Sequence, residues 1–289
     1  MPRPWRVISL MGNRRASLLI LGSGTSYGVP MIGCDCAVCR SPDPRNKRTR
    51  ASALVRIGDT SFLIDTSTDL RAQALRHGIR EVDAVLYTHS HADHLHGIDD
   101  LRSFSARRRR PVPAYGDART MSFIRQHYGY IFSDVRFELG WGIPRIELHV
   151  IEGPTLICGV EVIPVPLVHG GRPVLGYRIG SMAYLTDCNG IPPSSWPLLD
   201  GLEVLVIDGL RPRPQPTHFC ISEALDVVAR LHPRRAWITH LTHDVEHAAV
   251  EATLPDGVRL AYDGLEVEFD PGPTEERNAT VHRQGVERC

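Results

Sequence analysis

The 289-residue sequence predicts an α/β chain folded as a single domain: two β-sheets packed face to face, with helices on both outer faces. Three observations lead there. Short apolar runs of strand length alternate with turn signals through the middle of the chain. The same style returns in the second half, and two strand-rich halves with helices interspersed suit a sandwich of two sheets covered by helices. Periodicity alone stops at α/β; the sequence motifs carry it to αββα. Hydrophobic residues make up 42% of the chain, enough at this length to fill one large core.

Taken in order, residues 1–16 carry Pro, Arg and Gly without periodicity and read as a loose leader. The folded domain spans 17–270, and the polar, Pro/Gly-broken stretch 271–289 reads as a flexible tail. In the first half, strands are expected at 18–21, 53–57, 61–64, 82–87 and 112–115, with helices at 69–77, from 95 into 104, and at 119–128. In the second half, strands are expected at 160–165, 175–179, 182–186, 204–207 and 236–239. The clearest late helix is 221–231, where Ile221, Leu225, Val228 and Leu231 share a face. There is no short-period repeat and no low-complexity segment.

Charge narrows the function classes. Lys and Arg number 33 against 33 Asp and Glu, so bulk electrostatics give no reason to expect a nucleic-acid or membrane-surface partner. The run Arg107-Arg108-Arg109-Arg110 is the local exception; it reads as a solvated helix end or loop, with a substrate phosphate contact as the alternative. No stretch approaches the roughly 20 apolar residues that span a bilayer, and the apolar stretch from Val7 to Met11 is too short for a signal-peptide core. A cytoplasmic location follows as the expectation, and a homodimer is compatible with it. Three of the seven cysteines sit within six residues, which in a reducing compartment suggests metal ligation more than disulfides.

The apolar strand Val85-Leu86-Tyr87-Thr88 runs directly into His89-Ser90-His91-Ala92-Asp93-His94. A loop leaving a sheet can curl so that His89 and His91 face one point while Asp93 and His94 face a neighbouring one. Imidazole and carboxylate together suit zinc, manganese or iron. Capping the helix that follows would need one such residue, not three histidines. This motif, followed by Gly97, resembles the HxHxDH signature of the metallo-β-lactamase superfamily. Further landmarks resemble that superfamily in order: Phe62-Leu63-Ile64-Asp65, Pro166-Leu167-Val168-His169, Leu185-Thr186-Asp187 and Ile238-Thr239-His240. The resemblance implies that His89, His91 and His169 hold one divalent ion, that Asp93, His94 and His240 hold a second, and that Asp187 bridges them. Asp65 would orient the histidine loop. Manganese and zinc are the ions expected. Two such cations about 3.5–4 Å apart need an intervening anion, which a carboxylate and a bridging hydroxide supply, and that hydroxide would be the nucleophile. Asp93 and Asp187 thereby count among the catalytic residues.

Cys34-Asp35-Cys36-Ala37-Val38-Cys39 offers three thiolates, which can hold a tetrahedral zinc once a fourth ligand arrives from elsewhere in the chain. Together with the preceding Leu21-Gly22-Ser23-Gly24-Thr25-Ser26-Tyr27-Gly28-Val29-Pro30, the cluster resembles the opening of the phosphoribosyl 1,2-cyclic phosphate phosphodiesterases of the carbon–phosphorus lyase pathway of phosphonate breakdown. That resemblance implies a structural zinc on Cys34, Cys36, Cys39 and His243. It also implies that His218, in Thr217-His218-Phe219-Cys220, protonates the leaving group. Taken alone, a histidine at a helix start would cap it or face solvent. The stretch from Asp208 to His218 is Pro- and Arg-rich, and its substrate contacts match no family position residue by residue.

The reading is therefore a two-metal phosphodiesterase acting on a small cyclic phosphodiester. An RNA-processing nuclease of the tRNA 3′-end type is the alternative within the superfamily, disfavoured by the balanced charge. A thioesterase or lactamase-like hydrolase is another. A non-enzymatic carrier protein would be signalled by lost ligands, and none is missing.

Overall fold

The computed structural model describes residues 16–132 and 142–272, so the leader up to residue 15 and the tail from residue 273 lie outside the described residues. Ala16, expected in the leader, instead opens the first strand. The first sheet is built from β1 (Ala16–Gly22), β2 (Ser52–Ile57), β3 (Thr60–Ile64), β4 (Ala84–Leu86), β5 (Val112–Gly116) and β6 (Ile146–Val150). The second holds β7 (Thr155–Ile157), β8 (Val160–His169), β9 (Arg172–Ile179), β10 (Met182–Leu185), β11 (Val204–Asp208), β12 (Arg235–Thr239) and β13 (Val258–Leu260). The last strand, β14 (Glu266–Phe269), returns to the first sheet beside β1. Short helices α1 (Ala37–Arg40), α2 (Leu70–Arg76), α3 (Ala92–Leu95), α4 (Leu101–Arg108) and α5 (Ala118–His127) lie in the first half; α6 (Ile221–Leu231) and α7 (His247–Glu251) lie in the second.

Both sheets follow one plan. The first runs antiparallel from β14 through β3 and parallel from β3 to β6; the second runs antiparallel from β7 through β10 and parallel from β10 to β13. Parallel neighbours require crossovers: α2, α4 and α5 supply them for the first sheet, and the 3-10 segment Pro193–Leu199, α6 and α7 for the second. The central strands β1–β4 and β10–β12 are buried on both faces, which is why they read as continuous apolar runs rather than as alternation. In β3, Phe62 and Ile64 face the second sheet, where they meet a core that includes Tyr177, Tyr184 and Val206. Leu63 faces the opposite way, into the cluster formed with Leu101, Phe104 and Ile124 of the helices. A third cluster seats α6 on Leu205, Ile207 and Ile238. These layers make the αββα sandwich.

Several expectations are corrected. The helix expected from 95 into 104 is broken: α3 ends at Leu95, a 3-10 turn spans Ile98–Asp100, and α4 starts at Leu101. The break lies at Gly97, whose N–H bonds the Thr66 carbonyl and whose α-carbon packs against Ser67. The strand expected at 82–87 is shorter, Ala84–Leu86. On α6 the fully buried stripe is Ile221, Ala224 and Val227, while Leu225, Val228 and Leu231 flank it half-buried. The run Arg107–Arg110 closes α4, where Arg108 bonds the Val82 carbonyl and Asp83. It stands at the N-terminal end of β5. Among the described residues, no helix is long and apolar enough to cross a membrane.

The Gly97 break yields a test. A Cβ at this position would sit 2.1 Å from the Ser67 carbonyl oxygen, a backbone atom. Gly97→Ala should cost about 1–3 kcal/mol of stability, read from the denaturant midpoint. An unshifted midpoint would mean the 66–70 turn yields without strain.

Candidate active site and metal clusters

The site lies along the edge where the parallel strands of both sheets end. Asp65 follows β3, the His89–His94 loop follows β4, His169 closes β8, Asp187 follows β10, Asp208 closes β11 and His240 follows β12. Three of these residues, Asp65, Asp187 and His240, adopt left-handed backbone with φ of 61°, 51° and 63°. A single left-handed residue at a strand end turns the chain sharply and redirects its side chain along the sheet edge. For non-glycine residues that conformation costs on the order of 1–2 kcal/mol each, tolerated best by Asp, Asn and His.

The structure brings the sequence-predicted ligands into two groups that share Asp187. His89, His91, His169 and Asp187 form one; Asp93, His94, His240 and Asp187 form the other. Three of the histidine rings are oriented through their second nitrogen. His94 Nδ1 donates to Asp65 Oδ2 at 2.7 Å, His169 Nδ1 donates to the Thr217 carbonyl at 2.6 Å, and His89 Nδ1 lies 3.0 Å from Thr88 Oγ1. The Nε2 atoms are thereby left for the centre of the site, and those of His89 and His94 are buried without a hydrogen-bond partner.

The donor set fits divalent metals. His94 Nε2 lies 3.3 Å from Asp93 Oδ2 and 3.1 Å from Asp187 Oδ1; His240 Nε2 lies 3.4 and 3.2 Å from the same two atoms. A tetrahedral ion with bonds of about 2.0–2.1 Å holds its ligand atoms about 3.3–3.4 Å apart. Asp93 and Asp187 are buried, and among the described residues their ion-pair partners are histidines alone. Burial disfavours a charged His94, yet Asp187, Asp93 and Asp65 outweigh it and hold its pKa well above the ordinary value. Such an excess of buried negative charge calls for cations.

A separate cluster gathers Cys34, Cys36, Cys39 and His243. His243 Nδ1 lies 3.1 Å from Cys34 Sγ and 3.6 Å from each of Cys36 Sγ and Cys39 Sγ. Zinc bonds of about 2.3 Å to sulfur and 2.0–2.1 Å to nitrogen set the tetrahedral S···N edge at about 3.6 Å. The Cys39 N–H, donated to Cys36 Sγ, draws the Cys36 thiol down to about 6, toward the thiolate that a metal needs.

His218 stands against both metal groups, its ring centroid 4.6 Å from that of His169 and 4.8 Å from that of His240. Its Nδ1 pairs with Asp208 Oδ2 at 2.6 Å, and the Cys188 N–H holds that same oxygen at 2.8 Å. Burial pulls the His218 pKa down, but the Asp208 carboxylate prevails and raises it. Asp208, 0% exposed, escaped the sequence reading. The available signal was an apolar run ending in Asp, Val204-Leu205-Val206-Ile207-Asp208, the same pattern that marks Asp65.

Comparison with known proteins places the geometry in context. Residues 60–241 match the β-lactamase superfamily domain. A solved structure described as a new diphosphatase from the PhnP family superposes with a TM-score of 0.82 at 42% identity, covering 88% of this chain and 97% of that one. A curated octanoyltransferase from Porphyromonas gingivalis is 39% identical over 261 residues, 87% of this chain but 51% of the relative, so the chain spans about half of that protein. A ribonuclease Z from Mycobacterium bovis is 30% identical over 156 residues, 49% of this chain and 56% of the relative.

Asp65 provides the test of this geometry. Asp65→Asn keeps the shape but replaces one acceptor oxygen with a donor facing His94 or Thr88. Divalent-metal affinity should fall by about 10–100-fold, measured by competition with a chelator. Unchanged affinity would remove Asp65 from the orientation of His94.

Proposed function

The chain belongs to the metallo-β-lactamase superfamily, close to the PhnP family, and we propose that it hydrolyses a small cyclic phosphodiester of the phosphoribosyl 1,2-cyclic phosphate type. The observation that carries this reading is the Asp208–His218 pair standing against two histidine–carboxylate groups that share Asp187. Diester hydrolysis needs a nucleophile on one side of phosphorus and a proton for the departing alkoxide on the other. The similar proteins named as a diphosphatase and a ribonuclease Z support phosphate chemistry. The name octanoyltransferase belongs to a protein about twice as long as the part matched here. Equal numbers of acidic and basic residues favour a small substrate over tRNA.

His89, His91 and His169 would hold one divalent ion and Asp93, His94 and His240 the other, with Asp187 between them. Bound there, zinc or manganese ions supply water activated at neutral pH and positive charge against the phosphoryl oxygens. The chain's own residues do the rest. Asp65 and the Thr217 carbonyl fix the tautomers of His94 and His169. Asp208 accepts the Nδ1 proton of His218, which leaves Nε2 as the atom that delivers a proton to the leaving oxygen. Asp208 is thus a positioning residue, and His218 is the general acid. A structural zinc on Cys34, Cys36, Cys39 and His243 would tie the first loop to the turn that carries His240.

Leaving-group dependence tests the assignment. A nitrophenolate departs without help, whereas a sugar alkoxide needs a proton. His218→Ala should slow a cyclic ribose phosphodiester by roughly 10²–10⁴-fold in kcat/KM and slow bis-p-nitrophenyl phosphate far less, with metal content retained. Asp208→Asn should show the same asymmetry in weaker form. Equal losses on both substrates would sink the general-acid role.

The cysteine cluster is tested separately. Cys36→Ser should lose one zinc per chain and lower the melting temperature, because structural zinc contributes directly to folding free energy. Full zinc content at an unchanged melting temperature would refute the site.

A further inference from the structure

His240 differs from His89, His94 and His169. Among the described residues its Nδ1 is buried without a hydrogen-bond partner, so no second nitrogen contact orients the ring. The rings of His218 and His94 lie nearly parallel to it, at centroid distances of 4.8 and 5.7 Å and angles of 14° and 23°. Those neighbours fix the tilt of the ring. They leave open where Nε2 falls within its own plane, and that position follows from the backbone. His240 turns in the left-handed region, so a small drift of the chain there would carry the ring away from Asp93 and Asp187.

The next residue is what prevents the drift. Leu241 donates its N–H to the Ser23 carbonyl at 2.8 Å and accepts from the Thr25 N–H at 3.2 Å, so the loop after β1 clamps the chain from both sides. That loop is held in turn by Asp263. One Asp263 oxygen accepts from the Ser23 N–H and Ser23 Oγ, both at 2.9 Å; the other accepts from the Thr49 N–H at 2.7 Å and Thr49 Oγ1 at 2.6 Å. The Asp263 side chain is 3% exposed, with the more exposed Arg76 guanidinium 3.6 Å away. Between the two segments there is no slack, since a Cβ on Gly24 would meet the Arg48 carbonyl oxygen at 2.9 Å. Hydrogen bonds accepted by a carboxylate are about twice as strong as neutral ones, and four of them converge here.

We propose that Asp263 is a positioning residue for His240, acting through Ser23 and Leu241. The proposal rests on the reading that the histidine–carboxylate groups hold divalent ions. Asp65 orients His94 by touching its ring, whereas Asp263 sets His240 from a distance, through the chain. The effect is therefore one-sided. Altering Asp263 weakens the group of Asp93, His94 and His240 and spares the group of His89, His91 and His169.

Manganese titration tests it. Thiolates select zinc, whereas a carboxylate-bearing group accepts manganese, so protein carrying zinc on its cysteine cluster reports the other two groups. Asp263→Asn keeps the shape but turns a donor amide toward N–H groups that need an acceptor. One of the two manganese dissociation constants should rise roughly 10-fold, the same one that His240→Gln raises, while the other holds. Ser23→Ala removes a single donor and serves should Asp263→Asn fail to fold; it should raise the same constant by less. Val267→Ala, a core truncation in β14, should leave both constants alone. In the metal-free protein the ring-nitrogen NMR signals of His240 should shift in Asp263→Asn or Ser23→Ala, with those of His94 and His169 in place. Two unchanged constants, or equal rises in both, would overturn the proposal, as would unmoved His240 signals. Should the wild type take up neither manganese nor zinc at these groups, the metal reading fails, and the NMR signals still decide whether Asp263 sets His240.

Discussion

The site depends on one buried carboxylate. Asp65 is 0% exposed and accepts three hydrogen bonds, from the Thr88 N–H at 2.8 Å, Thr88 Oγ1 at 2.8 Å and His94 Nδ1 at 2.7 Å. An ionised carboxylate without such partners would be too costly to bury, and burial does push its pKa upward. Those same three donors belong to the two ends of the loop that carries His89, His91, Asp93 and His94. Satisfying Asp65 and shaping the loop are therefore one event. The left-handed backbone at Asp65, Asp187 and His240 stores strain at three strand ends of this edge, and the core beneath them is what keeps that strain in place.

Much of this was legible in the sequence, for reasons that differ from residue to residue. The four ligands between His89 and His94 stand together in the chain, so proximity in space follows from proximity in sequence. His169, Asp187 and His240 are far apart and became legible only through the superfamily resemblance, whose landmarks they follow in order, each at the end of an apolar run. Asp208 ends such a run too, but no histidine neighbours it in sequence; His218 arrives ten residues later across a proline-broken loop. The short strands β6, β7, β13 and β14 escaped because they hold five residues or fewer and carry polar residues among the apolar ones. On α6, helical spacing picked out large residues, whereas the sheet accepts the small Ala224 closest.

The two metal-ligand systems are joined by backbone. His240 and His243 sit three residues apart, and the turn that carries them is gripped by Arg48, which is 1% exposed. Its guanidinium donates to the carbonyls of Thr242 and Val245 at 2.9 Å each, and to Asn46 Oδ1 at 3.0 Å. Buried arginine with carbonyl partners instead of a carboxylate keeps its charge while fixing the backbone. Desolvation draws its pKa down only to about 10. The segment after the cysteine cluster thus holds the turn that His243 anchors from the other side.

The ligands come in nearly equal shares from the two sheets: His89, His91, Asp93 and His94 from the first, His169, Asp187 and His240 from the second. Neither half of the chain can assemble a complete coordination sphere alone. Metal bound by these groups would therefore be captured late in folding, only after the sandwich has closed. Held there, metal would rivet the two sheets together at their shared seam. Loading the site and completing the fold become a single thermodynamic cycle, in which a chelator pulls on tertiary structure and a denaturant pulls on metal.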